Sequence, residues 1–240
     1  MHRKDFLKKS VGMLSLVPIL LSCADQSVDA DDPADEQGST NGSSSSDCQV
    51  TNSETEGPFP IKNPSSLVMT NITGDRPGIK MDIEITIKNF NSGCAVLPDV
   101  LVDIWHCDAL GNYSQYGGTQ MQSTNYSSAN WLRGRQTTNS EGKTGFTSIF
   151  PGWYMGRAPH IHVHVYSSSG RSLLVTQIAF PKTVCDTVYS TADAYKSHGL
   201  QDTTNETDNV FRDGFANEMA SVSGSLSEGY KLTHTIVVSA

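Results

Sequence analysis

Residues 151–166 read PGWYMGRAPHIHVHVY. His160, His162 and His164 alternate with Ile161, Val163 and Val165. Strict alternation is the period of a half-buried β-strand, in which residues i, i+2 and i+4 share a face. The stretch therefore predicts a strand with an apolar face for a core and three imidazoles on the opposite face. Same-face neighbours lie about 6.6–6.8 Å apart along a strand, close enough for two imidazoles to converge on one ion. Just upstream, Pro151-Gly152 opens a turn that carries Tyr154 and Arg157.

The same period recurs along the chain. Met81–Phe90 alternates, with Met81, Ile83, Ile85 and Ile87 on one face. Val100–Trp105, Thr144–Ile149, Leu173–Phe180 and Lys231–Ser239 read as further strands, and turn signals such as Asn91-Ser92-Gly93 and Ser140-Glu141-Gly142 separate them. Many short strands joined by long polar loops predict an all-β fold, a β-sandwich with little helix. The loops at about 113–143 and 181–210 are where a site would be built. One segment, Asn209–Val222, reads as a candidate helix, with Gly214 set against it.

The 240-residue chain divides into three parts by composition. Residues 1–22 read as an export signal, with Arg3, Lys4, Lys8 and Lys9 ahead of an apolar run from Val11 to Leu21. Leu20-Leu21-Ser22-Cys23 resembles a bacterial lipobox, which makes Cys23 the expected lipid anchor and the cell envelope the expected location. Arg3-Lys4-Asp5-Phe6-Leu7-Lys8 resembles the twin-arginine export motif with lysine at the second arginine. Residues 24–47 are acidic and Ser-rich, with no Lys or Arg and almost no large apolar side chain. Such a segment cannot offset its ordering entropy and is expected to act as a disordered tether with a reach of roughly 25–30 Å. Residues 48–240 are a normal size for one domain.

The net charge of −8 is concentrated in the tether, and no basic patch points to nucleic acid. Beyond Cys23 stand Cys48, Cys94, Cys107 and Cys185, an even number in an exported chain. That count is consistent with disulfides and leaves three pairings open.

The histidine face alone does not name a metal, but its neighbours narrow the choice. Tyr154 sits six residues before His160, and Tyr113 follows the Trp105 strand in Asp-Ala-Leu-Gly-Asn-Tyr. A phenol, with a free pKa of about 10, becomes a ligand only once it loses its proton, and coordination favours the deprotonated form. Hard anionic oxygen suits Fe(III).

At this point a family likeness appears. The chain resembles the intradiol ring-cleavage dioxygenases, most closely their secreted single-domain branch. The likeness rests on Thr55-Glu56-Gly57-Pro58-Phe59, Cys94-Ala95-Val96-Leu97-Pro98, Val102–Ala109, Gly111-Asn112-Tyr113-Ser114, Leu132–Gln136, Phe150–Tyr154, Gly156-Arg157, His160-Ile161-His162 and Gln177. The resemblance implies one non-haem Fe(III) per chain, held by Tyr113, Tyr154, His160 and His162. It implies that Tyr154 is also an internal base and that Arg157 stabilises charge on the substrate, with Gln177 as its partner. It implies a small aromatic diol and O2 as substrates and a cis,cis-muconate-type diacid as product. His164 falls outside the implied ligand set and reads as structural. The stretch from Tyr154 to His160 is shorter than in the catechol and protocatechuate branches, which bears on the substrate. The helical dimerisation region of the catechol branch has no counterpart, so a monomer is the default expectation, with a dimer open.

Two other readings compete. Three histidines and a water make a catalytic zinc site, so His160, His162 and His164 could serve a zinc hydrolase. That leaves Tyr113, Tyr154 and Arg157 without roles. A non-catalytic surface lipoprotein would suit the tether but leaves the His-x-His face unexplained.

Overall fold

The computed structural model describes residues 48–240, so the expected export signal, the Cys23 anchor and the tether lie outside the described residues. Nine strands and one α-helix follow in chain order: β1 (Lys80–Asn89), β2 (Ala95–Val96), β3 (Leu101–Trp105), β4 (Arg133–Thr137), β5 (Lys143–Ile149), β6 (His160–Tyr166), β7 (Ser172–Ala179), α1 (Lys182–Thr191), β8 (Ser221–Ser225) and β9 (Gly229–Val238). They form two sheets. One has β1 at its centre, with β5 and β2 along one edge and β9, then β8, on the other. The second has the order β4-β3-β6-β7 and is antiparallel throughout. The pair β1–β9 is parallel.

The alternation read from the sequence sets the core. Met81, Ile83, Ile85 and Ile87 of β1 are buried and pack with Val102, Ile104, Ile161, Val163 and Val165 of the second sheet. These inward side chains close the sandwich, as the alternation of two facing sheets requires. The outward face of the second sheet is covered too, so every residue of β6 except Tyr166 is buried. What covers it is the stretch from Thr55 to Phe59, the long β3–β4 loop with Tyr113 and the turn before β6 with Tyr154.

Every expected strand is present within two residues of its predicted ends. Three elements depart from expectation. The candidate helix over 209–222 is instead a 3-10 turn at Phe211–Asp213 followed by β8, which pairs with β9. Gly214 there takes φ +105°, a conformation outside any helix. The helix lies earlier, at Lys182–Thr191, inside a stretch read as loop. Its threonines and valines are poor helix formers, and burial of Cys185, Val188 and Tyr189 beneath Phe150 and Phe180 holds it in place. β4 lies inside the stretch expected as loop, because Arg-Gly-Arg-Gln-Thr has no apolar alternation. Among the described residues one disulfide joins Cys48 to Cys94, with 5.8 Å between their Cα atoms, and Cys107 and Cys185 are buried free thiols.

Candidate active site

Register assembles the site. Across the outward face of the second sheet, Arg133 of β4 pairs with Trp105 of β3, Trp105 with His162 of β6, and His162 with Gln177 of β7. Directly paired residues share a face, so these four side chains form one row across four strands. His160 lies one pleat along β6 from that row. His162 lies flat against Trp105, with ring centroids 4.8 Å apart and planes 2° from parallel. His160 stands edge-on to His162, with centroids 4.6 Å apart.

Two loops bring the tyrosines in. In the first, the Asp108 carboxylate accepts from the backbone N–H groups of Leu110 and Asn112, which folds the chain sharply before Tyr113. Gly111 makes the turn at φ +83°, and a Cβ there would sit 2.4 Å from the Trp153 carbonyl oxygen. From the other side, a Cβ on Gly152 would sit 2.2 Å from the Asp108 carbonyl oxygen. Two glycines thus let the Tyr113 loop and the Tyr154 turn pack backbone against backbone. Gln122 then locks Tyr113 by accepting from its N–H and donating to its carbonyl, at 2.6 and 2.8 Å.

The result is a cluster of donors. His160 Nε2 lies 3.1 Å from His162 Nε2 and 3.5 Å from the Tyr113 hydroxyl. The Tyr154 ring centroid is 5.7 Å from those of both Tyr113 and His160. Phe59 stacks on Tyr113 at 4.8 Å and stands edge-on to Tyr154 at 6.1 Å, sealing one side. Tyr113 is wholly buried, whereas Tyr154 keeps some exposure.

The protonation states follow from burial. Burial, and then Arg157, hold His160 well below the usual imidazole range; burial, and then His160, do the same for His162. Both rings are neutral. His160 Nδ1 is 2.6 Å from the Ala158 carbonyl, which can only accept, so Nδ1 carries the proton and Nε2 offers a lone pair to the cluster. His162 Nδ1 is buried and falls short of hydrogen-bond geometry, although the nearby Thr55 backbone favours a proton on that ring. Burial raises the Tyr113 phenol well above its ordinary value, and raises Tyr154 against the opposing pull of Arg157.

These donors fit a metal ion. Metal–nitrogen bonds of about 2.0–2.1 Å leave two adjacent imidazole nitrogens on one ion roughly 3 Å apart, and the observed 3.1 Å agrees. Two neutral imidazoles and two phenols, which would bind as phenolates, form a nitrogen–oxygen set suited to a hard trivalent cation. Arg157 stands beside it: its Nη1 donates to the Tyr154 hydroxyl at 3.3 Å and its Nη2 to Gln177 Oε1 at 2.5 Å. Gln177 is held in turn by the Thr55 carbonyl at 2.8 Å. All six residues named from the sequence therefore meet.

His164 does not join them. Its Nδ1 lies 3.0 Å from Glu56 and 2.8 Å from the Tyr166 hydroxyl, and its Nε2 lies 2.8 Å from the Ser172 hydroxyl. Both ring nitrogens are engaged away from the cluster. The zinc reading needs all three histidines on one ion, and His164 is instead turned to Glu56, Tyr166 and Ser172. His106 is also structural. It bridges the Cys107 carbonyl and Ser148, and burial pushes its pKa down to about 4.

Comparison with known proteins now bears on the site. A family model described as Dioxygenase matches residues 58–212. The chain belongs to the intradiol ring-cleavage dioxygenases. An intradiol ring-cleavage dioxygenase from Tetranychus urticae is 27% identical, with a TM-score of 0.71, over 80% of this chain and 95% of that one. The dioxygenase domain of a dioxygenase–carbohydrate-binding fusion from Streptomyces sp. SirexAA-E is 25% identical, with a TM-score of 0.56, over 80% and 99%. The 3-chlorocatechol 1,2-dioxygenase of Rhodococcus opacus 1CP, at 18% identity and a TM-score of 0.53, shares the fold over 79% of this chain. No curated protein matches the chain in sequence. In this intradiol dioxygenase chain only Met155–Pro159 separate Tyr154 from His160.

Sequence reading missed several residues of the site. Trp105 and Arg133 lie in segments that carry the family likeness, but only register gives them a place in the site. Asp208, whose carboxylate oxygens lie 2.9 and 3.0 Å from Arg157 Nε, is one acid among several in its segment. Glu54 lies close enough to be influenced by Arg157 and Asp208; burial, and then Asp213, push its carboxyl up to about 7.

Proposed function

We propose that this chain is a non-haem Fe(III) dioxygenase that opens catechol-type aromatic diols between their hydroxyls, giving cis,cis-muconate-type diacids. The observation that carries the reading is the meeting of two tyrosines and two histidines in a largely buried cluster, with an arginine held against one of the phenols. Both atoms of O2 enter the product, so no external reductant is consumed.

Tyr113, Tyr154, His160 and His162 would hold the iron. When bound, the iron supplies Lewis acidity toward the phenols and the diol, and the redox capacity that lets O2 react with the ring. The chain's own residues do the rest. His160 and His162 are preset as neutral lone-pair donors by burial and by the Ala158 carbonyl. Tyr113, buried and locked by Gln122, is the fixed phenol. Tyr154, partly exposed and hydrogen-bonded by Arg157, is suited, once held as a phenolate, to take a proton from a diol hydroxyl and become the neutral phenol. Arg157 keeps its charge at any working pH and places it where negative charge develops on the ring. Phe59 and Trp105 exclude water around the cluster.

The sequence further supports export and anchoring at Cys23, which we propose as the route to the cell envelope. A Cys23→Ser chain should leave the membrane fraction. The catalytic reading is tested by visible absorption of the purified protein, before and after anaerobic addition of catechol, followed by oxygen uptake. A broad tyrosinate-to-iron band that moves to longer wavelength, then uptake of one O2 per diol, is the expected result. A protein that stays colourless after iron reconstitution and consumes no oxygen refutes it.

A further inference from the structure

We infer that Asp208 is a positioning residue of this site, orienting Arg157 so that both terminal nitrogens of its guanidinium face the reaction. The inference rests on the proposed role of Arg157. Asp208 lies between α1 and β8, fifty-one positions from Arg157, near the end of the long 181–210 stretch in which the sequence singles out no individual residue. Its side chain is wholly buried.

An arginine has five N–H donors in a fixed plane. A carboxylate commonly meets it through a fork, taking two N–H groups in parallel. Here both Asp208 oxygens sit on Nε alone, at 3.0 and 2.9 Å. Nη1 gives one N–H to Tyr154 and Nη2 gives one to Gln177. One N–H on each terminal nitrogen is therefore uncommitted. Had Asp208 taken the fork, it would have used up one of those remaining terminal N–H groups.

Asp208 is itself fixed. Its Oδ2 accepts from the Ala158 N–H at 2.7 Å and its Oδ1 from the Val210 N–H at 2.8 Å. The same segment grips the turn a second time, where the Gly156 N–H donates to Asp202 at 3.1 Å. The turn from Tyr154 to His160, short as it is, is thus held by a distant stretch of chain. The carboxylate also neutralises a guanidinium that is almost fully buried, where an unpaired charge is costly. Asparagine at 208 would keep the size but present an amide N–H toward Nε–H or the Ala158 N–H, a donor facing a donor.

The test uses the full chain and two readouts. The first is NMR of the arginine Nε–H signals, with diamagnetic Ga(III) in place of iron to keep them sharp, and Arg157→Lys to assign the Arg157 signal. An Arg157 Nε–H protected from exchange in the native chain, and lost from protection in Asp208→Asn, is expected. An Nε–H that exchanges in the native chain as fast as an exposed arginine overturns the inference, even if Asp208→Asn does not fold. The second readout is kinetic. Asp208→Asn should lower kcat about 10–100-fold, the scale of a misplacement near 1 Å, with iron content and KM for catechol nearly unchanged. The double variant Asp208→Asn/Arg157→Ala should be no slower than Arg157→Ala alone, because Asp208 acts through Arg157. Additive losses, or an Asp208→Asn enzyme with native kcat, overturn it. A native chain that binds no iron and takes up no oxygen would instead refute the proposed function, and the exchange result would still report on Asp208 itself.

Discussion

Replacing Gly111 with alanine tests how the two tyrosine-bearing loops are joined. Gly111 sits at φ +83°, and its new Cβ would lie 2.4 Å from the Trp153 carbonyl oxygen, against an ordinary contact of 3.4 Å or more. The shortfall is about 1 Å, and the obstructing atom is backbone, which cannot rotate away. Left-handed backbone costs a non-glycine residue about 1–2 kcal/mol, and overpacking adds about 1–3 kcal/mol. Gly156 provides the control: it has φ +82°, yet a Cβ there meets nothing within 4 Å. Gly156→Ala therefore carries the backbone cost alone. At roughly 2–4 °C per kcal/mol for a domain of this size, Gly156→Ala should lower Tm by about 2–8 °C and Gly111→Ala by about 4–20 °C. The excess in Gly111→Ala is spent pushing the Tyr113 loop off the Tyr154 turn, so iron retention should fall in that variant and hold in the control. Thermal unfolding, with iron and tyrosinate absorbance per chain, reads both. A Gly111→Ala protein as stable and as coloured as Gly156→Ala would refute the close-packed junction.

Two further outcomes are expected. His162→Ala removes a buried ring that faces His160 at 3.1 Å and should abolish iron retention, measured by metal analysis after desalting; full occupancy would make that face purely structural. Burial, and then Glu54, push the Glu218 carboxyl from 4.5 up to about 8. The fold therefore binds more protons than the unfolded chain between those values, and stability should fall as pH rises through that window. Glu218→Gln should flatten the fall and raise stability at pH 8 by about 1–2 kcal/mol after solvent screening; denaturant melts at pH 5 and pH 8 that show no flattening would contradict it.

Local pattern carried much of this in the sequence. Alternation at Met81–Ile87 and at His160–Tyr166 depends only on the two-residue period of a strand, so those strands and their inward faces were legible. The donor types were legible too: the imidazoles and one phenol fall in one short stretch, with a second phenol at Tyr113. Ligand number was less legible, because periodicity put His164 beside His160 and His162 without saying what it would meet. Only tertiary structure turned it toward Glu56, Tyr166 and Ser172. Register also lies beyond local pattern. The row Arg133–Trp105–His162–Gln177 comes from four strands pairing across the chain between Trp105 and Gln177, and a slip of one residue would have turned each side chain to the other face. α1 escaped notice because packing over Phe150 and Phe180 outweighs its weak propensity. Asp208 had no local mark at all. Its role arises from a hydrogen bond between segments fifty-one residues apart, and contacts at such separation are decided by how the whole chain folds.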